Sequence, residues 1–560
     1  MSETKPDSNA FAGGQIDEKA RVSRAAHLLG AMTAVSRVAG LARDAAVGAV
    51  FGTGPGADAF FVAFRIPNLM RRVVAEGATS AAFVPVFTGT LASGGRDEAL
   101  RAAGAVGGAA LGLLALLTVA GMAAAGPLTG LFAPGFAADP AKQALTVELT
   151  RWTFPYLLLV GMAAWEMGVH HTFRRFALPA AGPVLMNLAI IASVLGLAPR
   201  LGSPAWALVA GVLAGGAAQV VVQAPSLWRL GMRPAMLANL GHAAVARSGR
   251  LVLAAVLGGS VYQLNVLVAT VFASLLPAGT VSYLWYADRV FEFPLGIVAV
   301  AVGTAALPSL SAQATAGRRE AMGDTVVHAM SLTVAFCLPA AVGLLLLSHE
   351  ITALLFERGS FGARDSAMTA WALEASVPGL LGVALVRVLS SAFFALGKVR
   401  VPVVSGLLSL AVGAVLSVML MGPASAGPPW WGETLFDAAS SAIGVADLRH
   451  AGLSLATGLA ATANAVLLFA VLRRELPAMD LAPLAASVRR HFVAAAAMGL
   501  AVAGFERGTA SWAFHGAGAL RVGAAIALGS ACYLGVAARL GSAEIRELLD
   551  LARARGRAEG

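Results

Sequence analysis

The chain has 560 residues, of which 58% are hydrophobic and 12% charged, with 40 Lys and Arg against 30 Asp and Glu. Ordinary soluble domains hold roughly 25% charged residues, so a water-soluble globular protein is excluded, and the mean hydropathy of +0.77 points to an integral membrane protein. Apolar runs long enough to cross the hydrocarbon core, about 20 residues each, recur along nearly the whole chain. About fourteen can be counted. They are continuous rather than alternating, and a helix satisfies its own backbone hydrogen bonds in lipid. The expected fold is an all-α polytopic membrane protein, not a porin-like barrel.

Residues 1–27 are polar and of mixed charge, with no apolar core or cleavage pattern. They are expected to form a disordered cytoplasmic tail rather than a signal peptide. The first long apolar stretch contains SRVAGLARD (36–44), with Arg37, Arg43 and Asp44. On a helix Arg37 and Asp44 share one face, while Ser36 and Arg43 share the adjacent one, so both arginines can line one cavity. An ion pair of Arg37 with Asp44 would account for the aspartate and leave Arg43 unexplained. Ionisable groups inside a membrane mark functional sites.

The glycine-rich GTGPGAD (52–58) lacks the Gly-Lys-Ser/Thr ending of a phosphate loop and reads as a turn. In ADAFFVAFRIPNLMRRVVAEGATSAAFVPVF (57–87), Asp58, Arg65, Arg71, Arg72 and Glu76 interrupt an apolar helix. Pro67, Gly77 and Pro85 imply that it is bent or broken. Arg71 and Arg72 also read as cytoplasmic anchors at a helix end. His170 and His171 precede FRRF at an inside helix end, with no Cys, Asp or Glu at ligand spacing. An interfacial role is expected for them, and no metal. Further on, SVYQLNVLVATVF (260–272) offers Gln263 and Asn265, and WYADRVFEFPLG (285–296) carries Asp288, Arg289 and Glu292. Cys337 and Cys532 fall inside apolar runs and read as small buried residues.

An internal repeat organises these stretches. LFAPGFAADPAKQALTVELTRWTFPYLLL (131–159) is echoed by LFERGSFGARDSAMTAWALEASVPGLL (355–381), and Pro85, Pro155 and Pro179 recur as Pro308, Pro378 and Pro402. The offset of about 223 residues spans six helices, so the two copies share one orientation across the membrane. Two six-helix lobes related by this repeat are expected, at 28–228 and 250–473, facing each other across a cavity, with two C-terminal helices within 491–540 and a cytoplasmic tail at 541–560. With the amino terminus inside, inside loops collect about 25 Lys and Arg and outside loops about seven, which places both termini in the cytoplasm. The net charge of +10 then reflects the positive-inside bias. No stretch of interleaved aromatic and basic residues supports binding to nucleic acid.

Arginines thus enter the expected cavity from both lobes: Arg37, Arg43, Arg71 and Arg72 from the first, Arg289 from the second. A guanidinium grips phosphate oxygens with a two-pronged fork, so the substrate expected is a phosphate or diphosphate. Asp44, Asp58, Glu76, Asp288 and Glu292 are the acidic or structural companions of these arginines.

At these residues a resemblance becomes specific. SRVAGLARDAAVGAVFGTGPGADAFFVAFRIPNLMRRVVAEGATSAAFVPVF, YADRVFEFPLGIVAVAVGTAALPSLS and HAGLSLATGLAATANA closely resemble the MurJ (MviN) lipid II flippases of bacteria, in the multidrug and oligosaccharidyl-lipid exporter superfamily. The resemblance covers nearly the whole chain. It implies fourteen helices and a cationic cavity that alternates between cytoplasm and periplasm. The implied substrate is the undecaprenyl-diphosphate peptidoglycan precursor, and the location the bacterial inner membrane. It matches Arg37, Arg43, Arg71 or Arg72, and Arg289 to the family's cavity arginines, matches Asp58 and Asp288 to acidic positions, and makes the last two helices a groove for the lipid tail. A monomer without cofactor, working beside the cell-wall synthesis machinery, is expected. Three features depart from the family: the outside loop 422–450 is long, the amino-terminal tail is extended, and a carboxylate used by some relatives for sodium is replaced by Gln263 and Asn265.

Two other classes compete with this reading. A drug/cation antiporter of the same superfamily would want carboxylates to dominate the cavity, and another polyprenyl-diphosphate-glycan could replace lipid II. A membrane transferase would need a general base near an acidic metal cluster, which the sequence does not offer.

Overall fold

The computed structural model describes residues 8–71, 83–423, 441–509, 517–547 and 550, with side chains described from residue 30 on, except 254–262, 297–301, 304–305 and 517. Arg72, Glu76 and most of the long outside loop, 424–440, lie outside the described residues.

Seventeen helices of eight residues or more are described: α1 Ser8–Phe51, α2 Pro55–Arg71, α3 Val84–Ala123, α4 Ala125–Phe132, α5 Pro140–Thr153, α6 Pro155–Thr172, α7 Ala177–Leu197, α8 Ala205–Arg229, α9 Ala243–Ser274, α10 Thr280–Thr315, α11 Arg319–Phe356, α12 Ala363–Ser376, α13 Leu380–Ala395, α14 Arg400–Leu420, α15 Arg449–Glu475, α16 Ala482–Thr509 and α17 Ala517–Arg539. The fold is all-helical; β-structure among the described residues is limited to two isolated bridges. Proline sets several boundaries, opening α2, α5 and α6, where its missing N–H goes unneeded. Nine helical stretches among the described residues are long and apolar enough by themselves to cross a bilayer. The expected fourteen is not reached by that measure. One reason is that the 17 described residues of α2 carry Asp58, Arg65 and Arg71.

Two boundaries differ from expectation. The described residues of α1 are helical from Ser8 on, inside the stretch expected to be a disordered tail. DEKARVSRAA (17–26) is rich in Ala, Glu, Lys and Arg, which are good helix formers however polar they are. Helix α16 begins at Ala482, ahead of the expected 491, because Arg489 and Arg490 end the apolar run without ending the helix.

The chain forms two compact units. The first comprises residues 1–51, 62–129 and 143–260. Its core packs Phe83, Phe87, Leu100, Trp165, Leu227 and Met232. Trp165 lies against Gly107 and donates its indole N–H to the Ala103 carbonyl at 2.8 Å. A side chain at Gly108 would overlap the Leu237 carbonyl, so this helix surface admits only glycine.

The second unit comprises residues 52–61, 130–142 and 261–560. One of its cores joins α10, α11, α13 and α15 through Leu310, Met322, Val388, Phe393, Leu468 and Leu472. Another joins α11, α16 and α17 through Leu347, Ala494, Met498, Val502 and Tyr533, and it includes Ile545. The start of the expected tail at 541–560 is therefore part of the packed unit.

The physical reason is a buried histidine. His491 on α16 is 0% exposed. The Tyr533 hydroxyl donates to the Ala335 carbonyl, so it accepts from His491 Nδ1 at 2.6 Å. Ser542 Oγ donates to Glu544 Oε2 at 2.8 Å, so it accepts from His491 Nε2 at 3.2 Å, and the same nitrogen faces Glu544 Oε2 at 3.4 Å. Both ring nitrogens donate, which makes the ring an imidazolium held against a carboxylate. Hydrogen bonds from His491 first, then Ser542, hold the Glu544 carboxyl well below the usual carboxylate range. Glu544→Ala leaves that imidazolium buried and unpaired, at a cost of about 3 kcal/mol. A carboxyl lowered on folding stabilises above its unfolded value of about 4.3 and loses that contribution as pH falls through the folded value. The variant should thus melt well below the parent chain in detergent at neutral pH, the gap closing only below about pH 4. Equal melting temperatures at neutral pH would refute the pairing.

Candidate functional site

In the first unit the arginines sit on α1 and α2. Arg43 is half-buried, and its fork is divided. Nε and NH2 donate to Asp44 Oδ1 at 3.0 and 2.7 Å, and NH1 donates to Asn187 Oδ1 on α7 at 3.1 Å. Asn187 Nδ2 in turn donates to the Ser36 carbonyl at 3.1 Å. This amide therefore ties α7 to α1 while aiming the guanidinium. Gly40 faces the same amide, and a Cβ there would stand in ordinary contact, 3.6 Å from Asn187 Nδ2. The pairing corrects the expectation for Asp44, whose partner is Arg43 and not Arg37. Seven residues of helix rise about 10 Å, which is too far for the Arg37 and Asp44 side chains to meet comfortably. Arg37 is exposed and has no ion-pair partner among the described residues.

Arg71 is the last described residue of α2 and donates from Nε to Asn68 Oδ1 at 2.8 Å. His170 departs from the interfacial role expected of it. It is fully buried, with Nδ1 2.8 Å from the Glu166 carbonyl of the same helix. His171 is half-buried, its ring 5.1 Å from that of Phe176.

In the second unit Arg289 lies on α10, half-buried, 5.1 Å above the Trp285 ring and 3.2 Å from Glu292 Oε2. One face is thus held by a π-system and one edge by a carboxylate. This arrangement orients the guanidinium. Asp288 is exposed beside it.

Asp58 plays a different part. It is 1% exposed and accepts from Lys142 Nζ at 2.8 Å, from the Gly279 and Ser282 backbone N–H groups at 2.8 and 3.0 Å, and from Ser282 Oγ at 2.6 Å. Gly279 and Ser282 form the first turn of α10, whose dipole favours the carboxylate. Asp58 therefore binds segments 52–61 and 130–142 to the start of α10. Nearby, Thr53 Oγ1 donates to Asp365 Oδ1 at 2.6 Å, and Phe61 stacks on Trp285 with centroids 4.6 Å apart. Lys142, Asn187, Ser282 and Trp285 went unnoticed in the sequence, since each is an ordinary residue for its local stretch. Only Trp285 gave a signal, one helical turn before Arg289.

The sequence matches the profile of the lipid II flippase MurJ family over residues 47–427. A lipid II flippase MurJ of Burkholderia cenocepacia is 35% identical over 456 residues, covering 81% of this chain and 84% of the relative. A probable lipid II flippase MurJ of Bdellovibrio bacteriovorus is 33% identical over 503 residues, covering 88% and 90%. Among solved structures, a lipid II flippase MurJ in an inward closed conformation superposes with a TM-score of 0.72 at 21% identity, covering 93% of this chain and 99% of that one. A multidrug resistance MATE family transporter of the MOP superfamily, inward-facing, gives 0.59 at 13% identity over 79% and 95%. Helices in this order, arginines held half-buried on α1 and α10, and a profile match over most of the length agree on one assignment: the chain belongs to the MurJ lipid II flippase family.

Proposed function

We propose that the protein carries lipid II, the undecaprenyl-diphosphate-linked peptidoglycan precursor, from the cytoplasmic to the periplasmic leaflet of the bacterial inner membrane by alternating access. The observation that carries this reading is the family match over residues 47–427, which takes in Arg71 and Arg289. Arg37, Arg43, Arg71, Arg72 and Arg289 form the cationic site for the diphosphate. Asp44 and Glu292 pair with Arg43 and Arg289 and orient them, and guanidinium groups take phosphate oxygens in a fork. Phosphate neutralises the arginines during the crossing, so neither partner travels through lipid as a bare charge. The two six-helix lobes alternate, α16 and α17 cradle the lipid tail, both termini stay in the cytoplasm, and the working form is a monomer beside the cell-wall synthesis machinery.

The likeness to a MATE transporter supports the rival reading of a drug/cation antiporter at the level of fold alone. The test is accessibility of lipid II at the outer face of cells depleted of their own flippase. Expression of this chain should restore exposure and growth. Lipid II that stays inside despite normal membrane abundance of the protein would overturn the proposal.

A further inference from the structure

Helix α6 carries an acid, Glu166, within the apolar stretch YLLLVGMAAWEMGV (156–169), and the diphosphate site makes no use of it. Glu166 is 4% exposed; its Oε2 is buried without a hydrogen-bond partner, and no cation pairs with it among the described residues. One turn on, His170 presents Nδ1 to the Glu166 carbonyl at 2.8 Å. Nδ1 therefore carries the hydrogen, and Nε2 is a bare acceptor, also buried and unpartnered. From α8, Gln223 is 3% exposed and donates its amide hydrogens to the Ala163 carbonyl at 3.4 Å and the Gln219 carbonyl at 3.1 Å. Its Oε1 is left buried and unpartnered. Ala163, Glu166 and His170 follow at intervals of three and four residues, so they share the face of α6 on which Gln223 docks.

On α2, whose Phe64 ring lies 5.6 Å from that of Tyr156 on α6, Arg65 is half-buried and Arg71 donates to Asn68 Oδ1, and the charged groups on α3 and α8 are engaged elsewhere or exposed. On α3, Arg96 donates to the Leu230 carbonyl, Arg101 pairs with Glu98, and Asp97 is exposed. On α8, Arg229 is exposed, and α7 has no titratable group. Beyond the end of α6, Arg174 is exposed and Arg175 donates to Ser226 Oγ at 3.2 Å.

With Glu166 ionised, the three orphan atoms would all be acceptors facing no donor, around an uncompensated buried charge. That is among the most expensive arrangements a protein interior can hold. One added proton removes that charge and makes the carboxyl a donor, on a helix face that also carries the bare acceptors His170 Nε2 and Gln223 Oε1. Sodium fits poorly, because a hard cation wants a shell of oxygens and this face offers only those of Glu166 and Gln223 beside an imidazole. We propose that Glu166, His170 and Gln223 form a proton-binding site inside the first unit, loaded in the conformation described and emptied when α6 and α8 part. On release the carboxyl O–H bond breaks, the proton passes to entering water, and the carboxylate remains in contact with that water. The proposal stands on the first unit alone and is independent of the substrate reading.

The test is infrared difference spectroscopy of the full chain in lipid nanodiscs at neutral pH, parent minus Glu166→Gln. The parent should show one carbonyl band of a protonated carboxylic acid that the variant lacks. The glutamine variant, isosteric and needing no proton, should melt no lower than the parent. Gln223→Met, which keeps bulk and removes an acceptor, should shift that band. The proposal fails if the difference contains only ionised-carboxylate bands, if those bands respond to sodium at fixed pH, or if the carbonyl band ignores Gln223→Met.

Discussion

Asp58→Ala should leave almost no folded protein in the membrane, while adding Lys142→Met to the same chain should restore a measurable part of it. Asp58 gathers four donors in a place that is 1% exposed, and Lys142 is itself 8% exposed. Removing the carboxylate alone takes the ion-pair partner from a buried ammonium, which costs about 3 to 5 kcal/mol. It also strands two backbone N–H groups at the start of α10, each at roughly 1 to 3 kcal/mol. Against a total stability of about 5 to 15 kcal/mol this is ruinous. The double variant removes the stranded cation and leaves the unpaired amides, so it should recover the cation's share and no more. Membrane abundance and melting temperature across the four members of the cycle measure the coupling. Additive single effects, or an Asp58→Ala chain that melts like the parent, would show that the pair is ornamental.

Arg289→Ala at undiminished membrane abundance, and Arg43→Ala at an abundance lowered by the buried Asp44 it leaves unpaired, should each abolish rescue of a flippase-depleted strain. Each guanidinium offers a diphosphate two charge-assisted hydrogen bonds, so losing one group should weaken lipid II binding to the purified protein by about 3 kcal/mol, roughly a hundredfold. Lysine at either position restores the charge without the fork and should recover only part of the binding. Asn187→Leu separates positioning from contact. It removes the amide that aims Arg43 without touching the guanidinium, so it should weaken binding less than Arg43→Ala does. Normal growth of both alanine variants at equal abundance would dismiss these arginines as the substrate site.

Much of the architecture was legible in the chain itself because a bilayer enforces one strong rule: long apolar segments must become helices. The order of helices and many of their ends followed from apolar run length and from prolines such as Pro55, Pro140 and Pro155. Arginines within an apolar stretch were conspicuous for the same reason, so Arg43 and Arg289 could be singled out before any neighbour was known. Glu166 broke the same rule in the run AAWEMGV and was passed over beside the more noticeable His170 and His171.

What the chain could not specify on its own was partnership. Helical periodicity says which residues share a face, and by that rule Asp44 looked toward Arg37; in the structure its neighbour Arg43 swings across to meet it while Asn187, 144 residues away, holds the other edge. Asp58 was read with the cavity acids, yet it is consumed by Lys142 and by the amides that open α10. The polar segment holding Lys142 gave no local hint of this, since a lone lysine before a helix is unremarkable. The grouping of 52–61 and 130–142 with residues 261–560 is of the same kind. Hydropathy is a property of each residue and is written along the chain, whereas a buried charge is tolerated only where three-dimensional packing delivers its counter-charge and hydrogen bonds together, so tertiary structure alone decided which of these ionisable groups are pins and which are left to meet a ligand.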